Sequence, residues 1–369
     1  MTATPLHIGL GLNALAHRPG QDGRAPAQEA FQYAVLRADA AAFDFVTLDD
    51  VFGEERDGGR SRVDAVLFAS ALAPLTTDIG LIPVTTVSLR EPFHLATALA
   101  TLDYVSAGRA GWQVDVPPQA YAARLAQHSG SGVLGVDYAS RDAVLEDCAD
   151  GVEVARRLWD SWEDDAIIRD AATGRFIDRD KLHYIAFKGA TFSVLGPSIV
   201  PRPPQGQPVV AIRADDDATL ALAVAQADLV LFGVDTIGET RASLARLQAA
   251  SAAAKRPTPR AYADLVIAFG QRPGSLPDAL PAPLFRGGPA ELVGYLGALA
   301  GHGVDGVRLH PLDLTHDLAT LTDNVLPALR EAQLMWPRHE HPTLRARLGL
   351  PDVANRYAHA GTLTQEPAA

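Results

Sequence analysis

The sequence predicts an α/β fold, a closed (β/α)8 or TIM barrel, with long insertions after its fourth strand and before its fifth. Three observations carry that reading. Short, apolar, β-rich runs alternate strictly with longer helical patterns, as parallel α/β folds do. There are eight of each, which favours a closed barrel over an open doubly wound sheet. The length, 369 residues, accommodates one such barrel with insertions.

In chain order, the strand candidates and the helices after them begin with Leu6–Leu12 and Ala27–Ala42. Phe45–Leu48 is followed by Val63–Leu75, Ile79–Val84 by Pro92–Val105, and Ala110–Val114 by Ala143–Trp159. Pro208–Arg213 leads to Asp217–Ala227, and Leu229–Phe232 leads to Ile237–Ala254. Leu265–Phe269 with Pro289–Ala300 and Gly306–Leu309 with Leu318–Ala332 complete the set. Two segments break the rhythm. Residues 116–141 hold Pro117, Pro118 and several glycines and read as a loop or lid. Residues 161–207 are longer and polar, with the turn-rich run ATGRF and the proline-rich run GPSIVPRPPQGQP. Insertions this long are usually functional or contact another subunit. The barrel is thus read over residues 1–336, and 337–369 as a C-terminal arm whose end, Leu363–Ala369, is disordered.

The net charge of −12 argues against nucleic acid and anionic membranes as partners. No apolar stretch reaches the length needed to cross a bilayer. The start, MTATPLHIGLGLNALAHRPG, has no basic segment before its apolar run and does not read as a signal peptide. The single cysteine, Cys148, precludes an intrachain disulfide. Both points suit a reducing cytoplasm. Cys148 reads as a packed thiol, not a nucleophile.

Several stretches carry a resemblance: FDFVTLDD at Phe43–Asp50, TLDYVSAGRAGWQV at Thr101–Val114 and RLWDSWEDDAIIRDAATGRF at Arg157–Phe176. Further on come FKGATFSVLGPSIVPRPPQGQPVV at Phe187–Val210, VDGVRLHP at Val304–Pro311 and TLRARLGLP at Thr343–Pro351. Together they resemble the bacterial-luciferase-like flavin-dependent monooxygenase superfamily. The branch is that of nitrilotriacetate monooxygenase, dibenzothiophene sulfone monooxygenase and the pristinamycin synthase large subunit. The resemblance implies a barrel that typically dimerises, takes reduced FMN from a separate reductase, and inserts one oxygen of O2 into a small organic substrate. It places the site at the C-terminal strand ends. The fold alone does not settle the chemistry.

Against the family pattern, Asp49 keeps an acid at the barrel mouth, although Asp49 or Asp50 could equally cap the next helix. Val84 stands where a hydroxyl is expected, with Thr85 and Thr86 adjacent. A one-residue flip would exchange their faces. Gln113 replaces an asparagine, and Asp115 and Val116 replace small polar residues. Asp115 must face solvent or find a partner. Arg141 and Leu145 stand at the family's histidine and tyrosine positions; Tyr138 and His128 lie nearby. At the phosphate loop, IRADDDAT at Ile212–Thr219 replaces small hydroxyl and glycine residues. Asp215 and Asp216 fall on the serines, Asp217 follows and Thr219 replaces a glycine. Arg213 offers one cation there. Asp215 reads as the N-cap of the next helix.

His310, at the end of the eighth strand, is the candidate catalytic group. No zinc spacing is present: HEH at His339–His341 is not H-E-x-x-H, and strand one has only His7 and His17 near it. Trp159 and Trp162 read as packing residues, GLGLN at Gly9–Asn13 is no dinucleotide fingerprint, and Gly287–Gly288 reads as a helix-opening turn. Two functions stay open. One is an FMN-dependent monooxygenase served by a flavin reductase, with a homodimer expected. The other is a flavin-less, non-catalytic or regulatory subunit paired with an active paralogue.

Overall fold

The computed structural model describes residues 4–13, 27–50, 64–88, 90–117, 140–270, 280–336 and 341–358. Its strands, in chain order, are β1 (His7–Leu12), β2 (Phe45–Asp49), β3 (Gly80–Thr85), β4 (Gly111–Val114), β5 (Ile167–Asp170), β6 (Arg175–Ile177), β7 (Phe187–Lys188), β8 (Ser193–Val194), β9 (Val209–Arg213), β10 (Leu229–Gly233), β11 (Arg260–Ala268), β12 (Leu284–Arg286) and β13 (Gly306–Pro311). β1 pairs with β2, then β3, β4, β9, β10, β11 and β13, and β13 returns to β1. All these pairings are parallel, so the eight strands close the barrel that the alternation predicts.

Packing divides the chain into two units. The first comprises residues 1–85, 109–115 and 209–350 and holds every barrel strand. The second comprises residues 86–108, 116–208 and 351–369.

Within the first unit, side chains alternate across the barrel wall with the period of two that strands impose. The lower interior is apolar: Phe45, Ile82, Val209, Leu229 and Tyr262 pack together near the strand starts. Leu344 and Leu348, on and just after the short helix Leu344–Arg347, complete this cluster. Both are fully buried, a burial that contributes on the order of 1.5–3 kcal/mol each. The packing leaves no room at Gly9, where an added Cβ would lie 2.3 Å from the Phe45 ring.

The seventh barrel strand corrects the sequence reading. It runs from Arg260, not Leu265. The run RAYAD looks too polar and alanine-rich for a buried strand, yet Tyr262 and Asp264 are both fully buried. A further parallel strand, β12, which the reading missed, pairs with the end of β11 through Val266 and Leu284.

In the second unit the helix Arg141–Asp160 starts at its N-cap Ser140, whose hydroxyl accepts the Ala143 N–H. Its Trp159 indole donates to the Ala96 carbonyl at 3.0 Å, and Trp162 donates to that of Ser198 at 2.8 Å. Both tryptophans therefore pack, as expected. The insertion contains two hairpins, β5–β6 and β7–β8. The arm is held by Asn355, whose amide donates to the carbonyls of Asp160 and Trp162. The expectations at 118–139, among them His128 and Tyr138, at His17 and His339, and that of a disordered end at Leu363–Ala369 fall outside the described residues. Among the described residues, no helix is long and apolar enough to cross a membrane.

Candidate active site at the barrel mouth

Above the apolar floor, the barrel interior turns polar. Asp264 is fully buried, and an isolated carboxylate there would be very costly. It is paired instead. Arg308 Nε donates to Asp264 Oδ1 and Nη2 to Oδ2, each at 2.6 Å. Such a two-pronged pair is the strongest form of charge-assisted hydrogen bonding. Arg308 also donates across the barrel to Gln113 Oε1 and, at 3.2 Å, to Thr47 Oγ1. Burial alone would push the Asp264 carboxyl up. The Arg308 charge and the His310 and Arg308 hydrogen bonds outweigh it and hold the carboxyl well below the usual range.

His310 follows Arg308 at the alternate position on β13, so both point inward. Its Nε2 lies 3.3 Å from Asp264 Oδ1, which can only accept, so Nε2 carries the proton. Nδ1 then accepts from the Asn13 amide at 3.3 Å. Burial and the nearby Arg308 charge lower the His310 pKa, which keeps the ring neutral. Both ring nitrogens are therefore engaged. The ring occupies space that only glycine at position 11 leaves free, since an added Cβ would fall 2.1 Å from Nδ1.

The next layer is the mouth itself. Val84 pairs in register with Asp49 on one side and Gln113 on the other. This fixes the face that the sequence left open: Val84 stands in the row, and Thr85 turns the other way, its hydroxyl donating to Asp50 Oδ2 at 2.5 Å. Asp49 and Asp115 are open to solvent but ringed by the protein of the rim. That partial desolvation, with Asp115 acting on Asp49 and Asp50 on Asp115, pushes Asp49 up to about 7 and Asp115 up to about 6. Helix capping falls to neighbours: Asp64 accepts the Val66 and Leu67 N–H groups, and Asp50 accepts that of Ala65 at 3.4 Å.

A carboxyl whose pKa rises from about 3.9 in the unfolded chain to about 7 favours the protonated form in the fold. Its contribution is fully present below about pH 4 and is lost as pH rises through 7. Asp49→Asn is therefore expected to flatten the fall in stability between pH 5 and pH 8, read from urea midpoints. An unchanged slope would contradict the assignment.

Arg213 crosses the mouth. Nε donates to Asp215 Oδ1 at 2.6 Å, and Nη1 reaches Asp264 Oδ2 at 3.4 Å and the Pro281 carbonyl. Pro283 sits against Gly233, where an added Cβ would meet its Cδ at 2.7 Å. The segment Leu280–Arg286 thus lies along the upper ends of β9, β10 and β11.

At the loop after β9 the N-cap is Asp216, not Asp215 as the sequence suggested. Asp215 is drawn to Arg213 instead. Asp216 Oδ1 accepts the Thr219 N–H and the Thr219 hydroxyl, both at 2.7 Å. The Thr219 Oγ1 in turn accepts the backbone N–H groups of Asp215 and Asp216, each at 3.0 Å. Four donors of this turn, the N–H groups of Asp215, Asp216, Thr219 and Leu220, are thus satisfied from within the chain. Asp216→Ala is expected to cost about 1 kcal/mol and Asp216→Ser only tenths, because serine also caps. Urea denaturation of the two variants tests the ranking, and equal losses would contradict it.

The structure thus gathers Asp49, Val84, Gln113, Asp115, Arg213, Asp215, Asp216 and His310 in the first unit. Thr86, Arg141 and Leu145 belong to the second. There Thr86 is buried, and its hydroxyl has no partner among the described residues. Arg141 donates to the Pro117 carbonyl at 3.2 Å, and Leu145 is partly buried. The Gly288 N–H donates to Glu291, as a helix-opening turn would. Sequence reasoning missed Asp264, Arg308, Thr47 and Asn13. Alternation along VRLHP could have found Arg308 beside His310. Asp264 was hidden by the misplaced strand start. Among the described residues, no group of three His, Cys, Asp or Glu is placed to hold a metal.

The family model for luciferase-like monooxygenases matches residues 9–302. N-acetyl-S-(2-succino)cysteine monooxygenase of Bacillus subtilis (strain 168) is 36% identical over 170 residues, 46% of this chain and 37% of that protein. Nitrilotriacetate monooxygenase component A of Aminobacter aminovorans is 37% identical over 174 residues, 47% of this chain and 37% of its own length. This chain therefore spans well under half the length of either relative. A crystal structure of riboflavin lyase, with modified FMN and the substrate riboflavin, superposes with a TM-score of 0.79 at 23% identity. The superposition covers 98% of this chain and all of that one, and shows the shared fold.

Proposed function

This chain belongs to the luciferase-like monooxygenase family, and from that premise we propose that it is a flavin-dependent oxygenase component acting on a small organic substrate at the barrel mouth. The single observation that carries the proposal is the mouth itself: a braced Asp264–Arg308–His310 network beneath an open acidic rim. The relatives are monooxygenases by name, the branch resemblance implies reduced flavin from a separate reductase and a dimer, and the single cysteine suits a reducing cytoplasm. In this reading Asp49, with its pKa near 7, is the group that holds or releases a proton at the mouth. Asp264, Arg308 and Gln113 position His310 and the strand ends.

FMN itself does not fit as its relatives' pattern implies. Where its phosphate would sit, the Asp215, Asp216 and Thr219 N–H groups already have internal partners, and two carboxylates occupy the loop. Arg213 is engaged with Asp215 and Asp264. No step is therefore assigned to FMN here. The same observation favours a second reading, a flavin-less subunit that accompanies an active paralogue. Titration of the protein with reduced flavins separates the two: saturable binding supports the oxygenase, and none for any flavin at millimolar concentration supports the subunit.

A further inference from the structure

We infer that the barrel mouth selects a flavin without a phosphate, of the riboflavin class, over FMN. The inference rests on the flavin-dependent reading above and deepens it. Three independent features of the loop after β9 carry it.

The first is occupancy. A phosphate bound at a helix start is held by free backbone N–H groups. Here the start of the helix Asp217–Gln226 is a ring of internal bonds: the Thr219 hydroxyl takes the Asp215 and Asp216 N–H groups, and the Asp216 carboxylate takes that of Thr219 and stands where an anion would. The ring supplies the anion that a ligand would otherwise supply.

The second is charge. Asp215, Asp216 and Asp217 stand in sequence at this one turn. The cations beside them are already paired, Arg213 with Asp215 and Asp264, and Arg246 with Asp217. At about 5 Å and an effective dielectric near 20, one carboxylate weakens phosphate binding by about a hundredfold. All three aspartates are exposed, which screens their share. Together they still weaken phosphate binding by roughly tenfold.

The third is hydrogen-bond polarity. Phosphate oxygens at neutral pH accept, and so do carboxylates, so the two have nothing to exchange. The ribityl chain of riboflavin ends in a hydroxyl, which donates to a carboxylate such as that of Asp215.

The test is anaerobic titration of the full chain with reduced riboflavin and with reduced FMN, followed by the change in flavin fluorescence or by heat. Wild type is expected to bind riboflavin at least tenfold more tightly than FMN. The double variant Asp215→Ser/Asp216→Ser keeps a capping residue and is expected to bring the two affinities within about threefold, chiefly by strengthening FMN and in lesser part by weakening riboflavin, which loses the Asp215 carboxylate as acceptor. Its fold is checked by its unfolding midpoint. FMN binding as tightly as riboflavin to wild type, or a ratio unmoved in the folded double variant, would overturn the inference and leave the oxygenase reading standing. Failure of both flavins to bind would overturn both.

Discussion

Asp264→Ala is expected to lower the unfolding free energy by about 3–5 kcal/mol, the usual cost of removing one partner from a buried pair. The reason is what remains. Arg308 is 3% exposed and would keep its charge with Gln113 and Thr47 as its remaining hydrogen-bond partners among the described residues. His310 would lose the acceptor that fixes its Nε2–H tautomer. Arg213 would lose its link to the barrel interior and keep Asp215 and the Pro281 carbonyl. The double variant Asp264→Leu/Arg308→Met should recover part of the loss, because replacing a whole buried pair by apolar residues is often near neutral. Urea denaturation reads both. A single variant within 1 kcal/mol of wild type would show that the pair is not buried as described.

Gly11→Ala is expected to cost about 3 kcal/mol, toward the upper end of the overpacking range. The added methyl would lie within 2.1–2.8 Å of three His310 ring atoms. Strand β1 is paired on both sides and cannot retreat. The ring must therefore swing away and give up both the Asn13 and the Asp264 bonds. The histidine resonances report this directly: in the variant, His310 should titrate closer to its ordinary range, because it leaves the desolvated site near Arg308. A normal midpoint together with an unmoved His310 signal would contradict the packing.

These two positions show where the sequence was legible and where it was not. The eightfold alternation located every barrel strand, because apolar runs and turn signals are local. It misplaced the start of β11, because Tyr262 and Asp264 look exposed until their partners on other strands, His7 and Phe45 for the tyrosine and the in-register Arg308 for the aspartate, are known. The mouth row of Asp49, Val84 and Gln113 was found by resemblance, but which of Val84 and Thr85 faces inward depends on register, and register is a pairing property. The acidic loop was seen as a departure from the family pattern. That Asp216, not Asp215, caps the helix follows from Arg213, which draws Asp215 away. His310 stood out as a candidate acid or base. Its engagement at both nitrogens depends on Asn13, 297 positions away along the chain, and on Asp264, 46 positions away on another strand.

The central claim is that the C-terminal mouth of the barrel is the ligand site and that its acidic loop is closed to phosphate. A crystal grown with riboflavin tests it most directly. The ring is expected over the Asp49, Val84 and Gln113 row, with the ribityl end toward Asp215. A ligand seated elsewhere, such as the cleft between Leu244, Gln248 and Arg260 at the opposite end of the barrel, would contradict it.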